Sequence, residues 1–139
     1  MTFYPACFYH DPDGYTVLFP DLYDLATEGE TLEDAMDSAI DCLAGRVWLM
    51  QLRKEELPAP SDPGKIDPQK LAKEVFPEEE IHEAFVSLVS VDVEEYARIH
   101  FERSVKKTLT IPCWLNRLAE EQHINFSQVL QEALKQKCL

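Results

Sequence analysis

The stretch Lys106-Lys107-Thr108-Leu109-Thr110-Ile111-Pro112 decides the fold of the C-terminal part of this chain. Polar and apolar residues alternate in it, which places Lys106, Thr108 and Thr110 on one face of a β-strand and the two apolar residues on the other. Because a lone strand cannot satisfy its own backbone hydrogen-bonding groups, it must pair with another strand. Pairing with its twin from a second chain would give a two-stranded ribbon with one polar face.

Two amphipathic helices are predicted after the proline, over residues 113–122 and 126–138. Asn125 and Ser127 are both candidate N-caps of the second helix, where unpaired backbone N–H groups can hold a phosphate. The 36 residues from 104 to 139 are too few to build a sufficient core alone, so we expect this segment to dimerise. The residues expected to be buried between two chains are Leu109, Ile111, Trp114, Leu118, Phe126, Val129, Leu130 and Leu134.

This order of strand, proline, helix, turn and helix resembles the ribbon-helix-helix DNA-binding fold. A two-stranded ribbon has the width of the DNA major groove. The resemblance implies base recognition by Lys106, Thr108 and Thr110, and phosphate binding by the backbone around Asn125 and Ser127. The competing interpretation is an ordinary edge strand whose lysines prevent aggregation.

The charge of the chain is divided unevenly. Residues 1–103 carry 23 acidic and 8 basic side chains, a net charge of −15, whereas residues 104–139 carry 3 acidic and 5 basic ones, a net charge of +2. This asymmetry indicates two surfaces with different partners. The acidic part suits either solubility or binding to a basic protein.

The first half of the sequence predicts a hairpin and a long helix. Aromatic and β-branched residues at 3–9 and 15–19 flank a Pro- and Asp-rich turn, which is typical of a β-hairpin. Residues 20–29 are interpreted as a polar loop. Thr31, followed three residues later by Asp34, resembles a capping box at the start of a helix that reaches about Leu52.

The remainder of the body predicts one more strand and one more helix. A proline-rich connection at about 57–70 precedes a strand at 85–91 and a helical pattern at 93–103. The predicted fold class is α+β: a small N-terminal domain of β-β-α-β-α order over residues 1–103, then a ribbon-helix-helix domain over residues 104–139.

The N-terminal domain resembles that of HicB-type antitoxins, through Tyr4-Pro5-Ala6, Asp13-Gly14-Tyr15, Phe19-Pro20-Asp21-Leu22 and the run from Thr27 to Ala35. The resemblance implies that this domain neutralises a small basic HicA-like toxin that cleaves messenger RNA, while the C-terminal domain represses the operon. Many family members have Pro-Gly-Cys where this chain has Tyr23-Asp24-Leu25. The toxin-contacting residues that the resemblance implies are Tyr15, Asp21, Tyr23, Asp24 and Glu28.

A metal-dependent nuclease is an alternative, because the HicB-type N-terminal domain is similar to part of an RNase H fold. Its candidate ligands would be Asp11, Asp13, Asp21 and Asp24. These aspartates lie in predicted turns and loops, however, where aspartate commonly bonds the local backbone. We therefore assign no catalytic residue, no metal ligand and no cofactor, and expect no enzymatic activity.

The expected partners are a HicA-like toxin, double-stranded operator DNA and a second copy of the chain, with further assembly into a tetramer left open. The four cysteines form no C-x-x-C pair, and no signal peptide or transmembrane segment is recognisable, so a cytoplasmic protein without membrane contact is expected. The competing function is a ligand-responsive ribbon-helix-helix repressor without a toxin partner. A basic protein of roughly 60–80 residues encoded next to this chain would favour the antitoxin.

Overall fold

A four-stranded antiparallel sheet lies at the centre of residues 1–103, the first of two units in the computed structural model; residues 104–139 form the second, and all 139 residues are described. The strands are β1 (Thr2–Asp11), β2 (Gly14–Phe19), β3 (Leu25–Gly29) and β4 (Glu83–Val91), in the spatial order β3-β2-β1-β4. The predicted hairpin of β1 and β2 is confirmed, and so is the later strand, which pairs with β1. Strands β3 and β4 are the two edges of the sheet.

Helices α1 (Leu32–Leu52) and α3 (Val93–His100) contribute to the main core on one face of the sheet. The Thr31 side chain accepts the Asp34 N–H at 3.1 Å, so the predicted helix start is confirmed. The core on this face includes Phe8, Phe19 and Leu43, all fully buried. Tyr96 borders it and donates to Asp41 at 2.9 Å; burial, followed by this hydrogen bond, raises the pKa of Tyr96 to about 12.

The second face of the sheet is covered by part of the proline-rich connection, which the sequence did not lead us to expect. Helix α2 (Pro68–Val75) begins inside the segment that was interpreted as irregular. Asp67 caps it by accepting the N–H groups of Gln69 and Lys70, and proline at the first helical position lacks only an N–H that would have no partner there. The prediction was wrong because Pro68 starts a helix instead of ending one.

Hydrogen bonds between the body and this connection fix its path. Tyr9 donates to the Pro68 carbonyl at 2.9 Å, and Tyr4 donates to the Pro58 carbonyl. Burial raises the pKa of both tyrosines above the usual value, which keeps the hydroxyls protonated as donors. The small second core thereby joins Tyr9, Cys7 and Leu18 to Ala72 of α2.

Strand β3 is also a correction, because residues 20–29 were interpreted as a polar loop. A short 3₁₀ turn at Pro20–Leu22 precedes it, and β3 then pairs with β2 so that Tyr15 lies opposite Gly29. Half-buried and exposed residues alternate along β3, as expected at a sheet edge beside a helix. The order of elements is therefore β-β-β-α-α-β-α, and the α+β class is confirmed.

The second unit contains helices α4 (Cys113–Glu121) and α5 (Phe126–Cys138), as the helical spacing predicted. Asn125 is the N-cap of α5, and its side-chain oxygen accepts the Gln128 N–H at 3.1 Å. Residues 104–112 form no strand in the single chain, so the two-chain ribbon stays a prediction.

Candidate functional site

The second unit has no buried residue, and its apolar side chains lie open. Trp114 is 67% exposed, which is unusual for a large aromatic side chain on a helix. A 36-residue unit without a core of its own is expected to acquire one by association. The residues of the predicted dimer interface that are exposed in the single chain are Leu109, Ile111, Trp114, Leu118, Phe126, Val129 and Leu134, and Leu130 is half-buried.

The predicted DNA-contacting residues are all accessible in this unit. Lys106, Thr108 and Thr110 are exposed in the segment before α4. Asn125 is exposed, and its side-chain oxygen caps α5. Its backbone therefore remains available to bind a phosphate, whereas its side-chain oxygen does not. The N–H groups of the first helical residues, including exposed Ser127, have no partner within the helix.

An acidic groove of about 480 Å³ lies at the hairpin end of the first unit. The β1–β2 turn, the end of β3 and the segment before β4 form its walls, and no lysine, arginine or histidine lines it. Its carboxylates, which we call the groove carboxylates, are Asp11, Asp13, Glu28, Glu30, Glu79 and Glu80. Such a lining favours a cationic partner.

Local hydrogen bonding explains the shape of this end. Asp11 accepts the Asp13 N–H at 2.8 Å, an Asx turn that orders the hairpin loop. Gly14, at φ 145°, follows it in a conformation that a side chain rarely adopts. Tyr15 stacks on His10 with ring centroids 4.5 Å apart, which fixes the aromatic wall of the groove.

The structure separates the predicted toxin-contacting residues into two groups. Tyr15 and Glu28 both line the acidic groove. Asp21, Tyr23 and Asp24 lie in the β2–β3 connection, at the opposite end of those strands. The four aspartates of the nuclease alternative are also separated, with Asp11 and Asp13 in the groove and Asp21 and Asp24 in the β2–β3 connection. No group of three or more His, Cys, Asp or Glu side chains is placed to hold a metal ion.

Tyr23 and Asp24 form a strained tip at that second end. Both have left-handed backbone conformations, with φ of 58° and 54°, and Tyr23 is 73% exposed. The preceding residue, Leu22, is fully buried, and Arg46 donates to its carbonyl at 3.3 Å. This anchoring fixes the backbone immediately before an exposed tyrosine.

Asp21 has a structural role beside this tip. Its two carboxylate oxygens accept the Ser61 N–H at 2.8 Å and the Ser61 hydroxyl at 2.6 Å. These bonds tie the proline-rich connection to the β2–β3 turn.

Sequence reasoning did not gather the groove carboxylates into one site. Asp11 and Asp13 were considered only as nuclease ligands, and Glu30 was not singled out. The Tyr15–Gly29 register of the unpredicted strand β3 brings the end of β3 to the hairpin turn. The acidic run before β4 was the remaining signal in the sequence.

None of the helices combines the length and apolar character that crossing a membrane requires.

Comparison with known proteins places these features in context. No protein-family model matches the chain. A chain of a toxin–antitoxin complex from Streptococcus pneumoniae is 36% identical and aligns over 98% of both chains with a TM-score of 0.65. Antitoxin HicB 2 of Photorhabdus laumondii is 37% identical over 62 residues, which is 45% of its length. The Burkholderia pseudomallei antitoxin HicB shares the fold, with 21% identity, a TM-score of 0.50 and coverage of 99% of this chain and 96% of its own.

Proposed function

The chain belongs to the HicB-type antitoxin family, and on that premise we propose that it is an antitoxin with two activities. Its N-terminal unit binds and neutralises a small basic HicA-like, mRNA-cleaving toxin. Its C-terminal unit dimerises into a ribbon-helix-helix fold and represses the operon that encodes the pair. The uneven division of charge is the observation that carries the proposal, because −15 and +2 on two units suit a basic protein and DNA respectively.

Toxin binding is assigned first to the acidic groove. An RNA-cleaving protein must attract phosphates with basic residues, and the groove carboxylates offer negative charge in a concave surface whose lining holds no lysine, arginine or histidine. Opposite charge also accelerates the encounter of the two proteins. Tyr15 would supply an aromatic contact at the wall of the groove, and tyrosine is enriched among residues that dominate interfaces.

The strained tip is the second proposed contact. A left-handed conformation at two successive non-glycine residues costs free energy, and such strain is concentrated at functional sites. Buried Leu22 and the hydrogen bond to its carbonyl fix the backbone before Tyr23, so little loop entropy would be lost on binding. Asp24 adds a further carboxylate beside the ring, and Asp21 supports the tip through Ser61.

Reversing charge in the groove should weaken toxin binding. We expect the double variant Glu28→Lys, Glu30→Lys to lose about 1–3 kcal/mol, roughly tenfold to hundredfold in Kd, with a shallower salt dependence. The measurement is calorimetric titration with the HicA-like protein encoded next to this chain, after copurification of the two has identified it.

The matched control is Glu74→Lys, Glu94→Lys, which changes net charge equally at exposed positions on α2 and α3. Equal weakening by both pairs would show that overall charge, and not the groove, determines toxin affinity. An adjacent metabolic gene and no copurifying basic protein would instead favour the ligand-responsive repressor.

DNA binding is assigned to the polar face of the proposed ribbon. In a pair of chains, Lys106, Thr108 and Thr110 would be duplicated about a two-fold axis, which suits a palindromic operator. The backbone around Asn125 and Ser127 would hold flanking phosphates at the N-terminus of α5. The opposite face, with Leu109 and Ile111, would be buried against the helices.

Replacing Lys106 by alanine tests this assignment. If Lys106 binds a phosphate, we expect the log–log slope of operator affinity against salt to fall by about one for each phosphate that the variant no longer neutralises. If it binds a base, we expect a sequence-dependent weakening of roughly 1–3 kcal/mol. Gel-shift titrations over a salt series distinguish the two, with Lys54→Ala in the N-terminal unit as control. Unchanged affinity and slope for Lys106→Ala would reject both roles.

A further inference from the structure

The segment between α1 and β4 is attached to the rest of the first unit at a few separate points. We call residues 58–82 the strap; it contains α2. Ala72 is its only buried residue, so hydrogen bonds carry much of the attachment. The pairs that join the strap to the strands and turns of the sheet are Tyr4 with Pro58, Asp21 with Ser61, Tyr9 with Pro68 and His10 with His82.

The strap belongs to the second core and not to the main one. Every residue buried in the main core lies outside the strap. The buried residues of the second core are Cys7, Tyr9, Leu18 and Ala72, and only Ala72 comes from the strap. Helix α2 has eight residues, too few to be stable alone. Segments with few buried apolar contacts open at a lower free-energy cost than global unfolding, so the strap can open while the main core stays folded.

The strap reaches both proposed toxin contacts. Near its beginning, Ser61 donates two hydrogen bonds to Asp21, beside the strained tip. Near its end, Glu79 and Glu80 are two of the groove carboxylates. The tip and the groove lie at opposite ends of β2 and β3, and the strap runs from one to the other.

We propose that the strap opens as one unit and that bound toxin holds it closed, so that the strap couples the groove to the strained tip. The coupling rests on the proposed antitoxin function, whereas the opening does not. Opening would withdraw Glu79 and Glu80 from the groove and release Asp21 from Ser61. A toxin that uses both contacts therefore binds the closed form more tightly and shifts the equilibrium toward it. Toxin bound at one contact thereby stabilises the other.

Cys7 reports the opening, because its side chain is fully buried in the core that the strap covers. The experiment is alkylation of the full chain by iodoacetamide without toxin, quenched at intervals and resolved for each cysteine by peptide mass spectrometry. We expect Cys7 to react through an opening with a shallower urea dependence than global unfolding followed by circular dichroism, because less surface is exposed. Equal urea dependence and equal free energy for the two processes would overturn the proposal.

Removing the attachment beside the tip should accelerate alkylation of Cys7. Ser61→Ala loses the hydroxyl hydrogen bond to Asp21, and one such bond changes an equilibrium several-fold to about tenfold. We expect the alkylation rate to rise by that factor. Ser87→Ala is the matched control, because the Ser87 hydroxyl donates to the Leu88 carbonyl within β4, outside the strap, and its loss should leave the rate unchanged. A wild-type rate in Ser61→Ala would show that the strap does not open as a unit.

Saturation with the copurifying toxin should slow alkylation of Cys7. If the toxin binds only the closed form, a free concentration of about 100 Kd slows the reaction about a hundredfold, and slowing of at least about tenfold is expected. Glu79→Gln, Glu80→Gln should reduce this slowing. Glu28→Gln, Glu30→Gln, which changes groove carboxylates outside the strap, should retain it when each variant is measured at the same multiple of its own Kd.

The outcomes separate the strap from the antitoxin role. Toxin that binds but leaves the alkylation of Cys7 unchanged would overturn the coupling and leave the antitoxin role intact. A chain that binds no toxin would overturn the antitoxin role and the coupling together. The urea dependence of Cys7 alkylation would still decide whether the strap opens.

Discussion

Replacing Leu118 by aspartate is expected to abolish dimerisation through the C-terminal unit, and with it operator binding. Leu118 is 45% exposed in the single chain, so a carboxylate there costs little before association. In the proposed dimer two such carboxylates are buried, because each chain contributes one. Reduced apolar burial and desolvation together should cost about 3 kcal/mol or more per copy, which raises Kd by at least about 10⁴-fold.

Operator gel shifts and sedimentation equilibrium of the full chain measure this outcome. Gln131→Asp is the control, because it adds the same charge to an exposed position of α5 outside the apolar stripe. Circular dichroism should show that both variants retain the N-terminal unit. A Leu118→Asp variant that still binds operator with wild-type affinity would contradict the ribbon-helix-helix dimer.

Strong local signals made most of the N-terminal fold predictable. Thr31 at an N-cap and a long apolar stripe predicted α1, aromatic and β-branched runs on either side of a turn predicted β1 and β2, and the apolar run at 85–91 predicted β4. Strand β3 was missed because a five-residue edge strand, with only half of its residues packed, has too few apolar positions to show alternation. Pro68 was misread because proline breaks a helix interior but is well tolerated at its first position.

The site was less predictable than the fold, for a physical reason. Asp11, Glu30 and Glu80 are remote in sequence and meet only through strand register, which local patterns do not encode. The tip at Tyr23 was equally hidden, because left-handed tyrosine is not a propensity that sequence reveals. The many acidic residues indicated that the partner is basic. The position of the groove that would bind it could be seen only once β2 was known to pair with β3.

Replacing Gly29 by alanine should strongly destabilise the N-terminal unit. A Cβ at this position would lie 2.3 Å from the Ala35 nitrogen and 2.7 Å from the Ala35 Cα, both backbone atoms of the first turn of α1. Neither can move unless the helix moves away from β3. Overpacking of this kind should cost about 3 kcal/mol, a large part of the stability of a small domain.

Urea denaturation followed by circular dichroism measures the effect as a lower midpoint with little change in slope. Gly45→Ala is the matched control. Gly45 lies inside α1, and a Cβ there would meet only the Phe101 ring, at 3.9 Å. Alanine there should stabilise the helix by about 0.5–1 kcal/mol, so the two substitutions should shift the midpoint in opposite directions. Gly29 also lines the acidic groove. The absence of a side chain at this position therefore permits the close approach of β3 to α1 and also shapes the proposed toxin surface. Equal midpoints for Gly29→Ala and wild type would contradict this prediction. They would mean that β3 and α1 can separate enough to accommodate a Cβ at position 29, so that β3 would not be a rigid wall of the groove.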